Sequence, residues 1–358
     1  MIRRAEDGRA DRLDALRAVQ AEVAAVLSPV FVVGGSVRDS LLGREFHDLD
    51  LATPLRPEET VEAIRAAGLR PFVSGRKYGT VGFRVGGRRV DVTTFRTVAY
   101  ARGSREPDVA FLPELAADLS HRDFTINAVA FATGELVDPL NGLSDLQAGV
   151  VRAPGKPRDR FLEDPVRLIR AARLVSQFGF EVEPETLAAM KRCSRRILDS
   201  AVERWTPELD AMLQGPNVRV AFRLLADTGV LKFVLPDMQI QVGYEQNSPY
   251  HDRDLFEHTM AVVEATDAGN LSMRWAALLH DIGKPYARVE KPGRSTYVGH
   301  ELLGAELVDR MALYLRWSLE RRRTITSLVA HHMDADSPLK AADESAKRAR
   351  PQPGNAPE

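Results

Sequence analysis

The stretch FVVGGSVRDSLLGREFHDLDLAT, residues 31–53, sets the interpretation of this 358-residue chain. A short apolar strand, Val30–Val33, runs directly into Gly34-Gly35 and then into a helix-forming segment. Backbone N–H groups at such a turn can cradle phosphate oxygens, helped by the positive end of the following helix. Arg38 adds a guanidinium suited to charge-assisted hydrogen bonds with the same oxygens. Strand–Gly-Gly–helix turns are common, so the weight falls on the acidic segment downstream. HDLDLAT, residues 47–53, reads as a second strand, where alternation puts Asp48 and Asp50 on one face. Two carboxylates so close repel each other unless a cation lies between them or one is protonated. Mg²⁺ fits that pair, because it takes one or two carboxylates and fills its shell with substrate phosphates.

On the N-terminal side, Leu13, Leu16, Val19, Val23 and Val26 stand near helical spacing and predict an amphipathic helix over 11–27. On the C-terminal side, further strands are expected at 80–85, 88–95 and 127–132, with a helix at 57–67. VGFRVGGRRVDVTTF reads as a β-hairpin turning at Gly86-Gly87, and it carries a third carboxylate, Asp91. Strands interleaved with helices give an α+β or α/β first domain. From about residue 164 the strand signals stop. Asp164 is placed to cap a helix opening at Pro165, and consecutive helices are expected to about 335. The terminal AADESAKRARPQPGNAPE is polar and Pro-rich and reads as disordered.

Composition narrows the function classes. With 44% hydrophobic and 28% charged residues the chain is globular and not globally disordered. The longest uncharged stretch, Val23–Val37, is shorter than the ~20 apolar residues a membrane helix needs. The N-terminus lacks the apolar segment of a signal peptide, and the lone Cys193 has no internal disulfide partner, so the cytoplasm is the expected address. Charge is balanced, with 49 basic against 50 acidic residues, which excludes a uniformly basic surface but not a local basic groove. Six of the eight histidines fall between His251 and His332, marking a chemically different second half.

Gly-Gly-x-Val-Arg-Asp, then Asp-x-Asp on a strand, then an acid on another strand, resembles the polymerase-beta-type nucleotidyltransferases. From Phe31 to His332 the chain resembles the class II tRNA nucleotidyltransferases, the CCA-adding group that includes bacterial poly(A) polymerase. The resemblance implies catalytic roles for Asp48, Asp50 and Asp91, with two Mg²⁺ ions on Asp48 and Asp50. It puts Gly34, Gly35 and Arg38 on the triphosphate. The family's ribose-sensing RRD motif corresponds to His121-Arg122-Asp123, with His in place of the first Arg. The family's flexible loop corresponds to FRTVAYARGSREPDVAF at 95–111, with Val98 where an acid is common.

The family's base-selecting template, E-D-x-x-R, is Glu163-Asp164-Pro165-Val166-Arg167, and Arg170 joins the nucleotide-binding set one turn later. The template's chemistry follows from the residues themselves. Cytosine and adenine each offer an amino donor beside a ring-nitrogen acceptor. An accepting Asp and a donating Arg three residues apart on a helix complement both, while uracil and guanine mismatch both contacts. Such pairings discriminate by ~1–3 kcal/mol. Helix capping by Asp164 is the blander reading of the same residues. Glu203, Arg204 and Glu208 match a motif that supports the neck helices.

In the second half, His258, the adjacent His280-Asp281 and His300 suit a divalent transition metal held between packed helices. They resemble the HD phosphohydrolase domain, whose distal acid would be Asp334 or Asp336.

The fold these resemblances imply is α+β. It has a polymerase-beta-type nucleotidyltransferase head, a small mixed sheet with helices, followed by an all-helical neck and HD domain. The expected bounds are an N-terminal helix at 1–27, the head at 28–150, the neck at 151–225, the HD domain at 226–340 and the tail at 341–358. The implied function is addition of C and/or A to the 3′ end of tRNA from CTP and ATP, without a nucleic-acid template, a membrane or a stable protein partner. Poly(A) polymerase, and an HD phosphohydrolase whose N-terminal half binds RNA, are the alternatives.

Overall fold

The computed structural model describes residues 4–45, 49–104, 106–247 and 254–348. They divide into two compact units, Met1–Arg167 with Glu181–Ala189, and Leu168–Phe180 with Met190–Glu358. Among the described residues no helix is long and apolar enough to cross a membrane.

The first unit is built on a six-stranded sheet. Its strands are β1 (Phe31–Val33), β2 (Asp50–Thr53), β3 (Thr80–Val85), β4 (Arg88–Thr94), β7 (Ala130–Ala132) and β8 (Glu135–Val137), in the order β3-β4-β2-β1-β7-β8. All neighbours pair antiparallel except β2 and β4, which run parallel. Gly86 and Gly87, at φ 55° and 79°, make the turn between β3 and β4. Two successive positive φ values give the twist that a tight hairpin needs. Val32, Leu51, Val81, Phe83, Val90, Val92 and Phe131 form the core, covered by Leu16 and Val23 of the helix Arg4–Ala24 and by Val61 and Ile64 of Pro57–Ala66. Pro57–Ala66 forms because Pro57 opens it, Glu58 and Glu59 face its positive end, and Val61 and Ile64 fall on one side. The 95–111 segment is an antiparallel hairpin, β5 (Arg96–Tyr100) with β6 (Pro107–Phe111).

The second unit is helical, with two differences from expectation. Val289–Lys291 and Arg294–Thr296 pair as a hairpin, reversed at Gly293 with φ 76°. Three-residue strands are too short to show a period-two pattern, so the sequence hides them. A helix also spans Pro338–Arg348, which corrects the reading of the tail as disordered from 341. Leu339, Ala342, Asp343 and Ala346 are buried at helical spacing, and their small side chains make a face too narrow to stand out in a polar run. Residues 349–358 lie outside the described residues. A further short pair, Glu181–Val182 beside Val150–Val151, belongs to the first unit.

Gly283 packs against the helix His300–Tyr314. A Cβ there would strike the His300 carbonyl oxygen and lie 2.8 Å from the Gly304 nitrogen. At Gly304 the nearest atoms would be 3.5 Å away, an ordinary contact. Gly283→Ala is therefore expected to destabilise the protein by about 1–3 kcal/mol through overpacking. Gly304→Ala should be milder. Urea denaturation of both variants checks the contrast.

Candidate functional site

Gly34, after β1, adopts φ 71° and ψ −139°, a region essentially confined to glycine. A Cβ there would sit 2.9 Å from Asp50 Oδ2 and 3.1 Å from Arg122 Nη1. Backbone, carboxylate and guanidinium converge because that side chain is missing. The Asp50 N–H donates to Ser36 Oγ at 3.1 Å, tying the start of β2 to the helix Gly35–Leu41. Parallel register sets Asp50 opposite Asp91. On β4, Val90, Val92 and Thr94 turn into the core and Asp91 turns away from it, so both carboxylates lie on the solvent face. Asp48 lies outside the described residues.

Beside this face is a cleft of about 240 Å³ lined by Asp50, Arg96, Asp118, His121, Arg122 and Arg167, among others. Asp118 is buried at its edge. Its Oδ1 accepts from the Arg96 backbone N–H at 2.9 Å, and its Oδ2 accepts from Arg122 Nη2 at 3.1 Å. Burial lowers the pKa of Arg96, and the like charge of Arg122 adds to this against the pull of Asp118. Arg167 donates to the His121 carbonyl at 2.7 Å, to the Arg160 carbonyl at 3.2 Å and to Glu163 at 3.2 Å. Arg160 joins the same knot, reaching the Ser120 carbonyl at 2.8 Å, His121 Nδ1 at 3.1 Å and Glu163 at 2.5 Å.

Other expected residues are placed elsewhere. Arg38 is buried, with its Nε and Nη2 2.9 Å from the Asp39 carboxylate and its Nη1 2.6 Å from Asn127 Oδ1. Gly35 packs on it, since a Cβ there would meet that guanidinium at 3.4 Å. Asp123 accepts from the Phe124 N–H at 2.8 Å and from Asn127 Nδ2 at 2.9 Å. Asp164 is buried and accepts from the Val166 N–H at 3.2 Å, the geometry of a cap. Arg170 belongs to the second unit, where it meets Glu208 at 2.8 Å. Arg96 and Asp118 escaped the sequence reading. Arg96 falls within the quoted 95–111 stretch without a role assigned to it, Asp118 lies in no quoted motif, and only the fold of β5 and the helix Leu115–Ser120 brings them together.

The second unit holds a buried cluster. His258, His280 and Asp343 form one group of converging ligand atoms, and Asp281, His300 and His332 another. The His280, His300 and His332 Nδ1 atoms lie 2.8, 2.7 and 2.7 Å from the carbonyls of Ala277, Tyr297 and Val329. Those carbonyls only accept, so each Nδ1 carries a proton and each Nε2 is turned inward. His300 Nε2 and His332 Nε2 then face each other at 3.2 Å, an approach that a cation between them would relieve. Asp281 stands at the centre. Its Oδ2 lies 3.1 Å from His280 Nε2 and 3.4 Å from His258 Nε2, and its Oδ1 lies 3.2 Å from His300 Nε2. Burial would raise the Asp281 pKa, but His280 and Lys284 hold it well below the usual carboxylate range. For His258, burial is outweighed by Asp281 and Asp343, which raise its pKa; burial, then His280, pushes His332 down to about 4. The distal acid is Asp343, and Asp334 and Asp336 are exposed, which corrects the expected pair. His332 joins the cluster, His331 is exposed, and His251 lies outside the described residues.

A nucleotidyltransferase-type head followed by helices carrying a buried His-Asp cluster is the class that fold and clusters define. The sequence model of the poly(A) polymerase head domain matches residues 30–152. The "Probable RNA and SrmB- binding site of polymerase A" matches 179–241, and the HD domain matches 255–354. The CCA-adding enzyme of Lactobacillus helveticus (strain DPC 4571) is 42% identical over 200 residues, 55% of this chain and 49% of that one. That of Bacillus velezensis (strain FZB42) is 36% identical over 255 residues, 71% and 60%. The CCA-adding enzyme of Bacillus stearothermophilus in complex with CTP superposes with a TM-score of 0.62 at 27% identity, over 92% of this chain and 81% of that one. A tRNA nucleotidyltransferase with a primer tRNA and an incoming ATP analog gives 0.59 at 25%, over 90% and 84%. The chain thus carries matches to the head, RNA-binding and HD domain models, and it is similar to CCA-adding enzymes along most of its length. It spans about half the length of the curated relatives first matched.

Gly34→Ala is expected to destabilise the head by about 1–3 kcal/mol, from its strained φ, and to push Asp50 and Arg122 apart. Urea denaturation measures the first effect, and a crystal structure of the variant reads the second.

Proposed function

We propose that this protein adds C and/or A to the 3′ end of tRNA, using CTP and ATP with Mg²⁺. The observation that carries the reading is the register of β2 against β4, which sets Asp50 and Asp91 together beside an arginine-lined cleft. The 3′-hydroxyl oxygen attacks the α-phosphorus, its proton passes to solvent, a new O–P bond forms, and the bond to pyrophosphate breaks. Asp50 and Asp91, with Asp48, would hold Mg²⁺, which when bound neutralises phosphate charge in the transition state. The exposure of both acids on one sheet face suits a hard divalent ion, with Arg89 3.6 Å from Asp91. Arg122 would meet the sugar and triphosphate. Arg167, held by His121 and Glu163, would donate to the base edge, and Asp164 would accept once turned from its cap. Matches to CCA-adding enzymes, one solved with CTP, support the tRNA reaction over poly(A) addition.

A second activity, metal-dependent phosphohydrolysis, is favoured by the buried cluster around Asp281. Its imidazoles prefer transition metals to Mg²⁺, so the two sites should differ in metal.

Asp50→Ala is expected to cut nucleotide incorporation into tRNA lacking its 3′ CCA by about 100-fold or more, with melting unchanged. Activity near wild type would remove the metal role from Asp50. Asp164→Ala or Arg167→Ala should raise UTP and GTP use relative to CTP and ATP. An unchanged ratio with slower rates would leave both residues to the helix start alone. Replacing His280 and Asp281 together with Ala should strip bound transition metal, read by elemental analysis, while nucleotide addition persists. Equal metal content in both proteins would make the histidines core residues.

A further inference from the structure

Arg96 opens β5 and lines the cleft beside Asp50 and Arg122. Its Nη1 is buried and has no hydrogen-bond partner among the described residues. The carboxylate best placed to neutralise it is already engaged. Asp118 gives one oxygen to the Arg96 backbone N–H and the other to Arg122. A guanidinium keeps its proton throughout the physiological range, so it cannot escape burial by becoming neutral. Arg96 as a whole is half-buried, but a buried guanidinium N–H without an acceptor is costly, and the cost falls when an anion meets it.

The choice of anion follows from charge. A nucleobase or ribose edge offers only neutral dipoles, which hydrogen-bond but do not compensate a cation. Phosphate oxygens do both. In nucleotide transfer the α-phosphate belongs at Asp50 and Asp91, which leaves the β- and γ-phosphates as the remaining charge. Arg122, tied to Arg96 through Asp118, would stand between the two.

We propose that Arg96 is a binding residue for the terminal phosphates of the incoming nucleoside triphosphate, and for the pyrophosphate that leaves. The inference rests on the nucleotidyltransferase reading for its ligand, and on the buried Nη1 without an acceptor, at the cleft wall, for its site. Asp118 is then a positioning residue, fixing the β5 backbone and Arg122 while leaving the end of the Arg96 side chain for the ligand.

The test is calorimetric binding of CTP, CMP and inorganic pyrophosphate to the full chain with Mg²⁺ and without tRNA, so that no turnover occurs. Arg96→Gln is expected to weaken CTP and pyrophosphate by about 10- to 100-fold and to leave CMP unchanged. Arg96→Lys, which keeps the charge but not the fork, should fall between, and thermal melting establishes that both variants fold. Equal weakening of CTP and CMP would overturn the inference and make Arg96 a structural support. So would an unchanged CTP-to-CMP ratio. If the wild type binds pyrophosphate through Arg96 but binds no nucleotide, the anion site stands and the nucleotide-transfer reading falls.

Discussion

The parallel pairing of β2 with β4 is the constraint on which the head depends. Asp50 pairs with Asp91, and Leu51 with Val92. Because side chains alternate, that one register sends the acids outward and the aliphatic residues into the core. A slip by one residue would bury a carboxylate and expose a valine, so the apolar core enforces the spacing of the charged pair. Two buried threonines reinforce the alignment. Thr53 donates to the Pro29 carbonyl at 2.7 Å and Thr94 to the Leu55 carbonyl at 2.8 Å, holding both strand ends to the neighbouring chain. Stability and chemistry in this head therefore have a common origin.

The parts of the fold legible in the sequence are those where a local rule and the tertiary structure agree. Gly86-Gly87 between alternating strands could only be a hairpin. The helix Pro57–Ala66 carries its start signal, its charges and its apolar face within ten residues. What was hidden depends on distant partners. Asp343 sits in a polar run, and it matters only because its helix returns to His258, 3.1 Å away. Arg96 and Asp118 are ordinary charged residues until β5 brings the Arg96 backbone to the carboxylate. Arg38 shows the reverse case. Its motif is plain, yet an acid at the next position and Asn127 across the turn engage its guanidinium.

Asp281 organises the second unit in a different way. A single buried carboxylate faces imidazoles from several helices, with Lys284 Nζ 2.6 Å from Oδ2. The ordinary driving force for helix packing is apolar area, which is indifferent to small shifts. Ring nitrogens and carboxylate oxygens aimed at one point are not indifferent, and they demand angular precision from every helix that carries one.

The approach of Gly283 to the helix His300–Tyr314 supplies part of that precision. With no side chain at that point, the turn after the His-Asp pair rests directly on the helix backbone. Side chains elsewhere can change rotamer to absorb a substitution, whereas backbone against backbone has no such slack. The turn and the helix are thus coupled as rigid parts, like a dovetail. Changes around this contact can be tolerated by repacking, but a single methyl group inside it would be felt at the imidazole of His300.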